Sequence, residues 1–255
     1  MEAESAISED AILGGSLKIR QPLRGHRIGH DAILLAAATV GRAGELAVEL
    51  GSGVGAAGLA VAARVPGLRL TLVEIDKNLC TLAMANARLN RLDDRVRVVD
   101  ANAESVEALA GAGLAPESVD RVLMNPPFHD ARRHNVSPDP HRRLAHTGTP
   151  GLLARWIGTA AWLLKPHAVL TLIWRADRLD DVLETLRPVF GRVSLLPVNP
   201  RVGAPAIRVV VRAVKADDSA RKTYPALTLN DEHGHPTAAA EAVLRAGKML
   251  DIAEA

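Results

Sequence analysis

Seven short apolar runs, set apart by stretches of helical periodicity, limit more than anything else how this chain can fold. They occupy 46–50, 68–73, 96–99, 119–124, 169–173, 193–198 and 207–214. Between them lie helical stretches near 56–64, 77–90, 103–110, 151–164 and 177–186, with an apolar helix at 32–40 ahead of the first run. Pro66-Gly67, Lys165-Pro166 and Arg187-Pro188 punctuate the alternation as turn signals. Strands alternating with helices predict βαβ units, hence a doubly wound α/β fold with a mainly parallel seven-stranded sheet. The 255 residues suit a single domain. A short N-terminal extension (1–31) is expected to precede a body at 32–230, and a C-terminal tail (231–255) to follow it.

In such a sheet, ligands bind at the carboxyl ends of the central strands. The sequence places chemistry there four times. After the first run stands Glu49-Leu50-Gly51-Ser52-Gly53-Val54-Gly55, glycines that let the backbone turn sharply and approach a ligand. Gly53, Gly55 and Gly58 also satisfy the dinucleotide pattern, with Glu74 lying 21 residues beyond Gly53. Glu49 tips the reading towards S-adenosylmethionine, because a carboxylate there repels a pyrophosphate but can serve an ammonium through water or the backbone. After the second run, Glu74 can accept from both ribose hydroxyls. After the third, Asp100 offers a carboxylate to an adenine amino group and the Ala101 amide a donor to a ring nitrogen. Asp31, at the head of the 32–40 helix, is placed as its N-cap and counted with the cofactor-side residues.

The fourth run ends in Asn125-Pro126-Pro127-Phe128. A ring-conjugated amine is a poor nucleophile, since its lone pair is delocalised. A site that methylates it must hold the NH₂ by its hydrogens and align the nitrogen with the methyl group. The Asn125 side-chain oxygen can take one hydrogen and the Pro126 carbonyl the other. Two prolines stiffen the turn, and Phe128 offers a ring face to a planar target. The long polar segment that follows, to about Pro150, has the length of a recognition loop, and its Arg132, Arg133, Arg142 and Arg143 are candidate substrate contacts. Its histidines match no standard metal-ligand spacing, so no metal is expected.

Composition narrows the setting. Apolar residues make up 48% of the chain, and the one cysteine, Cys80, forbids an internal disulfide. With an acidic N-terminus and no long apolar run, the reading is a cytoplasmic protein outside the membrane. The net charge of +2 is unevenly spread. Residues 11–30 carry four bases and no acid, and 187–222 carry eight bases against two acids, which suggests a basic face for a polyanion. Trp156, Trp162 and Trp174 fall within a helix and a strand and are assigned to core packing.

The chain resembles the small-methyltransferase domain family, which carries an Asn/Asp/Ser-Pro-Pro-aromatic motif, and is most similar to the bacterial tRNA1(Val) adenine-37 N6-methyltransferases. The similarity runs through Gly14-Gly15-Ser16-Leu17, Gln21-Pro22, 25–36, the glycine loop, Asn125–Phe128, 137–140 and 143–146. It implies S-adenosylmethionine bound through Gly51, Gly53, Glu74 and Asp100, Asn125 and Phe128 at the target base, and an RNA substrate, most simply a tRNA adenine. Phe128 departs from the tyrosine frequent in that family, and Phe128-His129 is similar to the rRNA guanine-N2 methyltransferases. Adenine N6 and guanine N2 therefore both stay open, with a protein glutamine as a third acceptor and the oligomeric state unassigned.

Overall fold

A computed structural model of the chain describes residues 7–24, 27–127 and 151–254. It opens with an antiparallel hairpin of β1 (Ile7–Ile12) and β2 (Leu17–Pro22), then α1 (His30–Ala38). The alternating body follows: β3 (Leu46–Leu50), α2 (Ala56–Arg64), β4 (Arg69–Glu74), α3 (Lys77–Leu89), β5 (Val96–Asp100), α4 (Val106–Gly111) and β6 (Val119–Met124). Beyond residue 150 come α5 (Leu152–Leu163), β7 (Leu164–Arg175), α6 (Leu179–Leu186), β8 (Phe190–Arg201) and β9 (Arg208–Lys215). Two short strands, β10 (Lys222–Thr223) and β11 (Leu227–Asn230), and α7 (Ala238–Leu244) complete it.

All seven expected strands join one sheet, in the order β10-β8-β9-β7-β6-β3-β4-β5. Only β9 runs antiparallel to its neighbours. The sheet has nine strands rather than seven, because β10 and β11 both add parallel to β8. From β3 the chain winds outward through β4 and β5, then returns to place β6 on the other side of β3. That reversal opens the crevice at which doubly wound folds bind ligands.

Side-chain alternation divides the core in two. Ala47, Leu70 and Leu72 face α1, α2 and α3, whereas Val48, Leu50 and Val73 face the layer holding α4, α5 and α6. Each fully buried aliphatic side chain contributes ~1.5–3 kcal/mol before conformational entropy is set against it. Residues beyond 231 share this core: Ala240, Val243 and Ile252 are buried, and α7 packs on α1 and β11.

Three local features differ from the sequence expectation. The 32–40 helix starts at His30 with Gly29 as its N-cap, so Asp31 sits in the first turn instead of capping it. The fourth helical stretch starts at Val106, where the Ser105 hydroxyl accepts from the Ala108 amide. The Lys165-Pro166 turn signal lies inside β7, where the register against β6 slips between Val119 and Arg121 and His167 takes a φ of 64°. A bulge absorbs the proline without ending the strand.

The hairpin is joined to the body through side chains. Asn90 on α3 accepts from the Lys18 amide at 2.9 Å and donates to its carbonyl at 2.7 Å. One turn earlier, Asn86 does the same for Arg20 at 2.7 and 2.9 Å. Two asparagines four residues apart thus stand in for an edge strand.

Candidate active site

The glycine turn after β3 is held from beneath and from the side. Beneath it, Glu49 is buried, and its Oε2 accepts from the Gly58 amide of α2 at 2.8 Å. A β-carbon on Gly58 would lie 2.6 Å from that oxygen, so glycine is what lets the helix come so close. Burial, opposed by the Gly58 bond and reinforced by the nearby Glu74 charge, pushes the Glu49 carboxyl up to about 8. Burial thus favours the protonated carboxyl of Glu49, which lies under the loop. The carboxylate expected to repel a pyrophosphate and serve an ammonium is turned onto the Gly58 amide beneath the loop.

From the side, Glu74 at the end of β4 closes the turn. Its Oε2 accepts from the Gly53 amide at 2.7 Å, and its Oε1 accepts from Ile75 and Asp76 at 2.8 and 3.0 Å. A carboxylate offers about four acceptor positions, so one remains for a ligand hydroxyl. Gly53 has a φ of 56° and nothing within 4 Å of where a β-carbon would stand, so its outer side is open. Gly51 is the opposite case: a β-carbon there would come within 2.3 Å of Trp156 Cη2. Trp156 is a core residue, as expected, and it also seats the loop; Trp174 is buried as well. The Trp156 indole N–H has no hydrogen-bond partner among the described residues.

Asp100 stands beside Glu74 in register, half exposed, with Lys77 Nζ 3.8 Å from its carboxylate. The Ala101 amide expected to meet an adenine nitrogen instead donates to the Glu74 carbonyl at 3.0 Å, since the β4–β5 ladder runs one residue further than the apolar run suggests. The neighbouring Asn102 amide has no partner among the described residues. Ile75, 58% exposed directly beside Glu74, is an apolar surface that the sequence reading passed over. Its signal was present: an isoleucine between two acids in a turn.

Asn125 follows β6 at the same edge, with Pro126 buried next to it. The Asn125 Oδ1 is buried and has no hydrogen-bond partner among the described residues. Such an acceptor costs ~1–3 kcal/mol, and a folded protein retains one where a ligand supplies the donor. Asp31 lies two strands away, its carboxylate 2.9 Å from Arg208 Nε. An ion pair to β9 is the role the structure gives it. Phe128, Arg132, Arg133, Arg142 and Arg143 lie outside the described residues.

Much of the expected basic face is neutralised or dispersed. Arg20 pairs with Glu9 at 3.0 Å and Arg27 with Asp10 at 2.9 Å, both acids coming from β1. Five of the eight 187–222 bases lie on the long strands β8 and β9 and fall at both ends of the sheet, Arg201 and Arg208 at the site edge and Arg192 and Lys215 at the other. Among the described residues, no group of three or more His, Cys, Asp or Glu could hold a metal, and no helix is long and apolar enough to cross a membrane.

Over residues 29–200 the chain matches the methyltransferase small domain family. The chain belongs to this family. It is an S-adenosylmethionine-dependent methyltransferase of the class I α/β fold. A tRNA1(Val) (adenine(37)-N6)-methyltransferase from Porphyromonas gingivalis is 33% identical over 183 residues, covering 68% of this chain and 69% of that protein. The ribosomal RNA large subunit methyltransferase G of Streptomyces griseus is 30% identical over 171 residues, which is 66% of this chain but 36% of that one. Among solved structures, a predicted O-methyltransferase from Agrobacterium tumefaciens superposes with a TM-score of 0.72 at 26% identity, covering 86% of this chain and 98% of that one.

The residues at the crevice fit the methyl donor. Gly53 is open towards it, Glu74 keeps an acceptor position, Asp100 is exposed, and Ile75 presents an apolar side chain at the rim.

Proposed function

We propose that this enzyme methylates the exocyclic N6 of an adenine in tRNA, in the cytoplasm. The observation that carries the reading is the buried Asn125 Oδ1, without a hydrogen-bond partner among the described residues, placed one residue past β6 and followed by two prolines. An amine hydrogen is the donor that fits it. The tRNA adenine-N6 relatives support the choice of base and of RNA.

S-adenosylmethionine, when bound, supplies an electrophilic methyl group on a sulfonium. Glu74, the Gly53 turn, Asp100 and the Asn102 amide hold it. Asn125 Oδ1 accepts one hydrogen of the target amine and the Pro126 carbonyl accepts the other, which turns the nitrogen towards the methyl group. The prolines keep both acceptors fixed, so alignment costs little entropy. No side chain need remove a proton beforehand, because the nitrogen becomes acidic only after it has been alkylated. Phe128 stacks on the base, and Arg132, Arg133, Arg142 and Arg143 contact RNA phosphates.

The test is nucleoside mass spectrometry on RNA from a deletion strain and its complemented partner. Loss of N6-methyladenosine from the tRNA fraction, restored on complementation, supports the reading. Loss of N2-methylguanosine from rRNA with tRNA unchanged overturns it.

A further inference from the structure

Several of the bases that the active site does not use gather at the opposite edge of the sheet. There, at the amino ends of β6 and β7, a cavity of about 650 Å³ is lined by Arg42, Arg121, His167, Arg192, Arg212 and Asp217, among others. Arg42 comes from the turn before β3, Arg121 from β6, Arg192 from β8 and Arg212 from β9, so four separate segments each bring a guanidinium. Two are paired: Arg121 with Glu45 at 2.6 Å and Arg192 with Asp217 at 2.9 Å. Arg212 is 6% exposed and donates to the Ile252 carbonyl. The Arg42 side chain has no hydrogen-bond or ion-pair partner among the described residues, and His167 lies close enough to Asp217 to help hold its carboxyl down.

Glu45 and Asp217 offset part of this gathering, and the remaining excess of positive charge works against folding. Burial, then the neighbouring Arg121 charge, pulls the Arg212 guanidinium down to about 10. Like charges brought together in a partly enclosed space repel most strongly where water is least able to screen them. An anion held between them reverses the sign of that interaction. Guanidinium forks match phosphate oxygens in geometry as well as in charge. The volume is that of a small-ligand site, typically ~300–1,000 Å³.

We propose that this cavity, on the edge of the sheet remote from methyl transfer, is a binding site for a phosphate group, with Arg42, Arg121, Arg192 and Arg212 as its cationic wall. The phosphate comes either from a free polyphosphate or from the backbone of bound RNA.

The probe is inorganic pyrophosphate, titrated by calorimetry into the full chain saturated with S-adenosylhomocysteine, so that the glycine turn is already filled. Ionic strength is held constant with chloride. Wild type is expected to bind, and Arg42→Ala/Arg192→Ala to bind at least tenfold more weakly. Both side chains are exposed, and melting temperature checks that the variant is folded. Arg245→Ala, an exposed side chain just past the end of α7, should bind as wild type does. No binding to wild type, or equal binding to the double variant, overturns the proposal. An unmodified tRNA transcript then separates the sources. Displacement of pyrophosphate assigns the site to RNA backbone, and simultaneous binding assigns it to a free phosphate compound. None of these readings depends on which base is methylated.

Discussion

The carboxylate of Glu74 accepts a hydrogen bond from the amide of Gly53 at 2.7 Å, across 21 residues of sequence. The bond joins the end of β4 to the glycine turn, so one side chain shapes the crevice and keeps an acceptor position for a ligand. In Glu74→Gln, one amide N–H of the new side chain must face a backbone N–H. Affinity for S-adenosylhomocysteine should fall at least about tenfold by calorimetry, the scale of one charge-assisted bond. Unchanged affinity would remove Glu74 from the site.

Gly53→Asp should abolish cofactor binding outright. Gly53 has a φ of 56° and an open outer side, so the substitution sets strain, bulk and negative charge together where the ligand lies. Calorimetry at micromolar protein reads the loss.

Asn125→Ala separates catalysis from stability. Turnover should fall at least roughly a hundredfold while cofactor affinity stays within about threefold. The Oδ1, without a partner among the described residues, predicts a further result: the variant should melt no lower than wild type, because the substitution removes a buried acceptor without leaving a donor unpaired. Retained turnover would show that the Asn125-Pro126-Pro127 stretch is only a turn.

Glu49 makes stability depend on pH. Its carboxyl is raised from the ordinary 4.5 to about 8, so between these values the folded chain holds a proton that the unfolded chain has released. Stability therefore falls as pH rises through that window: the group's contribution is whole below about 4.5 and is lost through about 8. Glu49→Gln keeps an acceptor for the Gly58 amide and cannot ionise. Its melting temperature should gain on wild type progressively from pH 5 to pH 9. Parallel pH profiles would mean that Glu49 is charged in the folded chain.

RNA affinity should drop steeply with salt, with a log–log slope of about −0.7 for each single-stranded phosphate neutralised. Since Arg20 and Arg27 are already paired with Glu9 and Asp10, Arg20→Ala should leave that slope almost unchanged. A flat salt response of the wild type would point to a protein substrate.

Local patterns were legible in the sequence and pairings were not. Buried parallel strands are continuous apolar runs, so β3 to β9 could be read directly, and Glu74 stands out as an acid ending such a run. Lys222–Thr223 carries no apolar signature, because β10 is an exposed two-residue edge. The Ala101 amide was assigned to a ligand because only the ladder register reveals its bond to the Glu74 carbonyl. Glu49 was read as a carboxylate serving the methyl donor because the helix above it, with its glycine at 58, is a tertiary fact. A basic face was inferred from clustering along the chain, yet β8 alone spans 12 residues, ~40 Å of extended backbone, and carries its arginines to opposite ends.

The two asparagines that hold β2 have a dynamic consequence. Hydrogen exchange at Lys18 and Arg20 is governed by side-chain bonds to α3, so the hairpin can detach without breaking any ladder of the nine-stranded sheet. Asn86 Nδ2 also donates to the carbonyl of Val54 at 3.0 Å, inside the glycine turn. Exchange protection of the hairpin and occupancy of the methyl-donor turn are therefore coupled through one amide group, and filling the turn should slow exchange at Arg20.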